Sequence, residues 1–155
     1  MLKFLSVPLL MGSLVFIPVA HADSECDVVL HLGDSNTVGM KDDLKSAYED
    51  AGFEAVIDAT GGRSMHETMG GNPNAIDGAK DLRDSHDEAC WVVAMGVNDA
   101  ANIVVGSSMD AQERIESMMD VIGDEDRVLW PSVAVGEGAP QYITPLRVLS
   151  PLMRL

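Results

Sequence analysis

Positive charge is what this 155-residue chain has least of: ten Lys and Arg stand against 25 Asp and Glu, a formal net charge of −15. A surface of that sign repels phosphate backbones and anionic lipid, so neither nucleic acid nor a charged membrane surface is expected as a partner. The acids are spread over helical faces and turns and form no tail, the pattern of a solvated surface. Metal-ligand spacing is missing as well, because His66 and His86 have no Cys or His partner in a recognised pattern. Internal repeats and low-complexity tracts are absent. The glycine pair Gly61-Gly62 belongs to neither a P-loop nor a dinucleotide fingerprint, so no nucleotide cofactor is expected.

The one long apolar run stands at the start. Met1-Leu2-Lys3 is a short positive region, Phe4 to Val19 is largely apolar, and Ala20-His21-Ala22 has the A-x-A form of a cleavage site. Residues 1–22 therefore read as a secretory signal peptide, and the protein as secreted or periplasmic. Pro8 and Pro18 and the cleavage pattern argue against a membrane span. No second run of that kind follows, so the mature chain is expected to be soluble and not inserted in a membrane. It is also more acidic than the precursor, since Lys3 leaves with the leader and every acidic residue lies beyond Ala22.

The two cysteines, Cys26 and Cys90, then face an oxidising compartment. Each precedes an apolar run, Asp27 to Leu32 and Trp91 to Met95. If those runs are adjacent parallel strands ~4.8 Å apart, the two Cα atoms come near the ~4.4–6.8 Å window of a disulfide. A bridge is predicted, the alternative being two separate buried thiols. Closing so long a loop is worth about 4 kcal/mol by chain entropy.

Taken in order, Val28 to Leu32 reads as a buried strand that breaks at Gly33-Asp34-Ser35-Asn36. A helical pattern beginning near Met40 follows, with Leu44, Ala47, Tyr48 and Ala51 at helical spacing and Gly52 at its close. Phe53 to Ala59 alternates as a second strand and ends in Thr60-Gly61-Gly62-Arg63-Ser64. Met65 to Pro73 reads as a loop on the same sheet edge. Asn74 to His86 reads as a helix weakened by Gly78, and Trp91 to Met95 as a strand covered on both faces, stopping at the loop Gly96-Val97-Asn98-Asp99. A helix amino-terminal box at Ser107 to Asp110 precedes Ile115, Met118, Met119 and Ile122 on one face, and Arg127 to Trp130 opens a fourth strand. This order implies an α/β domain over residues 23–137, a parallel sheet with right-handed crossovers and helices on both faces.

Three loops thus follow successive strands: Gly33-Asp34-Ser35-Asn36, Gly61-Gly62-Arg63-Ser64 and Gly96-Val97-Asn98-Asp99. They supply a hydroxyl, backbone N–H groups and a side-chain amide, which are the parts of acyl transfer: a nucleophile and donors for an oxyanion. Gly-Asp-Ser at 33 to 35, the glycine after the second strand, and Gly-x-Asn-Asp at 96 to 99 resemble the first three blocks of the SGNH/GDSL hydrolases. The resemblance runs from about Asp27 to Val133. It implies a three-layer flavodoxin-like fold and an esterase or lipase-like activity on acyl or acetyl esters, of lipids or cell-envelope polysaccharide, with no cofactor. Carried over by residue, it makes Ser35 the nucleophile. The N–H of Ser35, the N–H of Gly62 and the amide of Asn98 become the oxyanion hole, while Asp34 and Asp99 brace their loops. Gly62 is preferred to Gly61 because it stands before Arg63-Ser64.

The family's fourth block, Asp-x-x-His, supplies the general base, and it occurs nowhere in this sequence. His31, four residues before Ser35 on an extended strand, is ~13 Å away and reads as a core or helix-contacting residue. His86 falls at a helix carboxyl end on the opposite edge, which leaves His66 as the candidate base. From Gly138 to Leu155 acids vanish and Pro140, Pro145 and Pro151 enter. That tail reads either as an extended strap or as a truncated or frame-altered end, the latter being preferred. The competing functional readings are a non-catalytic module that binds an ester or glycan, and a flavodoxin-like fold without ester chemistry, which leaves Gly-x-Asn-Asp unexplained.

Overall fold

The structure, a computed structural model, describes residues 26–68, 70–124 and 126–131. The expected leader at 1–22 and the tail at 138–155 lie outside the described residues. Four strands, β1 (Val28–Gly33), β2 (Glu54–Ala59), β3 (Cys90–Ala94) and β4 (Val128–Leu129), form one parallel sheet in the order β2-β1-β3-β4. Four helices join them: α1 (Ser35–Asp50), α2 (Ala75–Ser85), α3 (Val97–Val104) and α4 (Ala111–Ile122). Among the described residues no helix is long and apolar enough to cross a membrane.

β1 is the centre of the sheet because its sequence can be buried on both faces. Leu30 and Leu32 point into a core with Ile76, Ala79 and Leu82 of α2 and Met118 and Ile122 of α4, joined by Trp91 and Val93 of β3. The alternate residue His31 faces the other way, under α1, where its Nδ1 lies 2.8 Å from the Tyr48 hydroxyl and its Nε2 3.4 Å from Thr37 Oγ1. Helices therefore cover both faces. His31 is the helix-contacting core residue expected from the sequence, and burial lowers its pKa below the ordinary value.

Register then sets where the loops emerge. Gly33 pairs with Ala59 of β2 on one side and with Ala94 of β3 on the other, so three strands reach one rim at the same level. The strand order turns back at β1, and the rim above that reversal is where open parallel sheets take their ligands. Gly33 itself is required by α1: a Cβ there would lie 2.1 Å from Thr37 Oγ1.

Several boundaries differ from the sequence reading. α1 begins at Ser35 and not near Met40, because the Asp34 side chain caps it by accepting from the Asn36 N–H (2.9 Å). Its expected face is only partly realised, since Leu44 and Tyr48 are half-buried while Ala47 and Ala51 are exposed. Gly96-Val97-Asn98-Asp99 is not a loop: residues 97–99 form the first turn of α3, entered through Gly96 at φ +131°. Gly78 does more than weaken α2. A Cβ there would come within 2.6 Å of Asp58 Oδ2, so the glycine lets α2 close on the end of β2. The fourth strand is two residues long, shorter than the four expected.

The predicted bridge is present, with Cys26 and Cys90 5.8 Å apart at Cα and 64 residues apart in sequence. It fastens the start of β1 to the start of β3, the end of the sheet away from the rim. Replacing both cysteines by serine is expected to lower the unfolding free energy by about 4 kcal/mol. Urea denaturation of wild type and double variant measures this, and an unchanged midpoint would refute it.

Candidate functional site

On the rim, Ser35 is the first residue of α1 and is exposed. As an N1 residue it has an N–H without an intrahelical acceptor, at the positive end of the helix dipole. Asp34, fully buried, is held by its capping bond and serves the turn, as expected.

Beside it, the loop after β2 hangs from β1 through the Thr60 N–H, which donates to the Gly33 carbonyl (3.2 Å). Arg63 N–H returns to the Thr60 carbonyl (3.3 Å), closing a four-residue turn whose third residue, Gly62, has φ +72°. A side chain disfavours that conformation, which is the physical reason for glycine there. The Arg63 side chain is buried and forks onto both carboxylate oxygens of Asp58 (2.9 and 3.1 Å), with Nε donating to the Pro73 carbonyl (3.3 Å).

The third component, Asn98, sits on α3 and reaches back to this loop. Its Nδ2 donates to the Arg63 carbonyl (2.8 Å). One residue on, Asp99 Oδ1 accepts from the Met65 N–H (2.9 Å). Two rungs therefore tie the first turn of α3 to residues 63–65. Asn98 is tied beside Gly62 through the Arg63 carbonyl, whereas Ser35 is related to them by the shared sheet register, with no hydrogen bond to either among the described residues.

The buried Arg114 of α4 completes the frame. Nη1 donates to Asp99 Oδ1 (2.7 Å) and Glu67 Oε2 (2.6 Å), Nη2 to Glu67 Oε1 and Ser107 Oγ (2.7 Å for the latter), and Nε to the Met109 carbonyl (3.5 Å). All five donors of the guanidinium are thus used. Ser64 Oγ adds a 2.7 Å bond to Glu67 Oε2. Arg114 holds the Glu67 carboxyl far below the usual carboxylate range, and the bond to Glu67 in turn raises the Arg114 pKa. Burial pushes Asp99 up, against the pull of the Met65 N–H and Arg114. Nothing in the sequence pattern around Glu67 and Arg114 marks them as part of this site.

His66 is half-buried in the same loop. Its carbonyl accepts from Asn74 Nδ2 (3.2 Å), and its Nε2 is buried without a hydrogen-bond partner among the described residues. His86 caps α2 at the far edge, its Nδ1 3.1 Å from the Leu82 carbonyl. A cavity of about 20 Å³, room for about one water, lies behind Asp99 among Met65, Met95, Ile103, Ile115 and Trp130; it does not include Ser35, Gly62 or Asn98. Among the described residues no group of three His, Cys, Asp or Glu could hold a metal ion.

Comparison with protein families, with curated proteins and with solved structures finds no match to this chain. The chemistry of the rim therefore has to be argued from its own residues.

The Glu67–Arg114 pair carries a pH signature. A carboxyl with a depressed folded-state pKa contributes stability that is complete above its unfolded value and is lost as pH falls towards the folded one. Glu67→Gln is expected to cost about 1.5 kcal/mol near pH 7, the low end for a charged hydrogen bond because Glu67 is partly exposed. The difference from wild type should be flat above the ordinary value of 4.5 and shrink as the solution is acidified below it. Unfolding midpoints across pH 2–7 check it, and a gap that widens in acid would contradict the assignment.

Proposed function

We propose that this protein is a secreted serine hydrolase of SGNH/GDSL type, with a flavodoxin-like sheet, acting on acyl or acetyl esters through an acyl-enzyme at Ser35. The observation that carries this reading is the common level of Gly33, Ala59 and Ala94, from which Ser35, Gly62 and Asn98 all follow within a few residues. In the reaction the Ser35 hydroxyl oxygen attacks the ester carbonyl carbon and its proton passes to a base. The carbonyl oxygen takes the negative charge and is met by the N–H groups of Ser35 and Gly62 and by the second hydrogen of Asn98 Nδ2, the first being committed to Arg63. Collapse expels the alcohol, which takes the proton back, and water then releases the acid from Ser35.

Of the three described histidines only His66 stands in a rim loop with a ring nitrogen lacking a partner, so it is the candidate base. A second reading is a module that binds an ester or glycan without turnover. It is favoured by one observation: among the described residues no hydrogen bond joins Ser35 to a histidine.

Hydrolysis of p-nitrophenyl acetate by the full chain separates these. Ser35→Ala is expected to abolish turnover and Asn98→Ala to reduce kcat about a hundredfold, the scale of a lost oxyanion donor. His66→Ala should cost a comparable factor of about 10²–10⁴ if it takes the proton. Activity unchanged in Ser35→Ala sinks the hydrolase reading; no turnover in wild type leaves the binding module; full activity in His66→Ala removes only the base.

A further inference from the structure

The two proposed oxyanion donors belong to different elements, so something must fix the distance between the β2 loop and α3. Asn98 to Arg63 is one rung, made by a half-exposed amide. Asp99 to Met65 is the other, and its acceptor oxygen is shared with a guanidinium that is 1% exposed. Arg114 reaches three segments at once: Glu67 in the β2 loop, Asp99 in the first turn of α3, and Ser107 and Met109 between α3 and α4. Ser107 Oγ also donates to Glu67 Oε1 (3.3 Å), but among the described residues no other single side chain hydrogen-bonds to all three.

We infer that Arg114 is the positioning residue of this site, holding Asn98 against the Gly62–Arg63 turn through the Asp99–Met65 rung and Glu67. It touches no substrate atom and acts only through the position it gives Asn98. The two carboxylates it bridges cannot hold the elements together themselves, because their like charges repel at that range. A lysine cannot take its place in full: three donors on one nitrogen do not reproduce a planar fork with five bonds to two carboxylates, a hydroxyl and a carbonyl. The catalytic consequence rests on the oxyanion role proposed for Asn98, but the placement of Asn98 does not.

The test therefore has two arms on the full-length chain. In the first, amide NMR follows the Asn98 side-chain NH₂, assigned by its loss in Asn98→Ala. Arg114→Met is expected to shift that pair and speed its exchange with solvent, Arg114→Lys to shift it partway. The Trp91 indole N–H, held by Asp126 at 3.0 Å near the start of β3 and away from the rim, should stay in place and report an intact fold. In the second arm, p-nitrophenyl acetate kinetics should show kcat at least about tenfold lower in Arg114→Met with KM nearly unchanged, the mark of a misplaced group. In an Asn98→Ala background the same change should add less than about twofold, because both act through one amide. An unmoved Asn98 signal beside an intact Trp91 signal overturns the inference, as does a full Arg114→Met effect without Asn98. Should Ser35→Ala retain activity, the hydrolase reading fails and the NMR arm alone decides the placement. If Arg114→Met loses the Trp91 signal, Glu67→Gln must produce the Asn98 shift instead, and its failure to do so also overturns the inference.

Discussion

β1 has hydrogen-bonded neighbours on both edges and helices over both faces, so the level at which it ends is fixed from four sides. A shift by one residue would turn His31 into the α2–α4 core and Leu30 towards Tyr48, exchanging a buried polar side chain with hydroxyl partners for one with none. The register is therefore over-determined, and with it the height of the rim. Every candidate group above the sheet takes its position from that row: Ser35 through the Asp34 cap, the Gly62 turn through the Thr60 bond to Gly33, and Asn98 through the short step from Ala94 to α3.

The chain's scarcest charge is found where the rim needs rigidity. With only ten Lys and Arg in the sequence, two arginines are almost wholly buried, Arg63 and Arg114, and both clamp the loop after β2. Each offsets its own desolvation with carboxylate partners and carbonyls, the condition under which a buried cation is tolerated. Arg63 works twice, its guanidinium closing on Asp58 and Pro73 while its carbonyl receives Asn98. The acidic exterior and the cationic pins are thus separate devices, one governing what approaches the surface and the other holding donors in place.

Much of the sheet and the position of the loops could be read from the chain because the signals there are local. Trp91 to Val93 is an unbroken apolar run and Val28 to Leu32 is interrupted only by His31, and burial on both faces is what such runs mean. The cysteines before them are expected to bridge if the two strands are neighbours, and both the β1–β3 pairing and the bridge are present. Where periodicity is short or absent the reading failed. The first turn of α1 is Ser-Asn-Thr-Val-Gly, without an apolar stripe, and only the cap at Asp34 marked its start. α3 is eight residues long with no side-chain cap, so a glycine followed by Val-Asn-Asp looked like a loop. Arg114 was invisible for a different reason: on its helix it sits between Glu113 and Ile115 as a solvated charge would, and its burial is set by Glu67, 47 residues earlier. Gly78 likewise takes its meaning from Asp58, a residue on another element.

A contrast between the donors and the base follows from the same bonds. The loop carrying Gly62 and the turn carrying Asn98 are held by two buried arginines and two rungs, which suits groups that must be in place before charge develops. Among the described residues His66 is tied by its backbone carbonyl, and its Nε2 is buried without a hydrogen-bond partner. An unpartnered ring nitrogen costs about 1–3 kcal/mol relative to one that is paired. A hydroxyl brought within reach would remove that penalty, so the ring has a standing energetic reason to form a hydrogen bond with a group on the rim. His31 has none, because Tyr48 and Thr37 already face both of its nitrogens. The two histidines thus differ in kind, one satisfied within the fold and one with a ring nitrogen left open in the loop after β2.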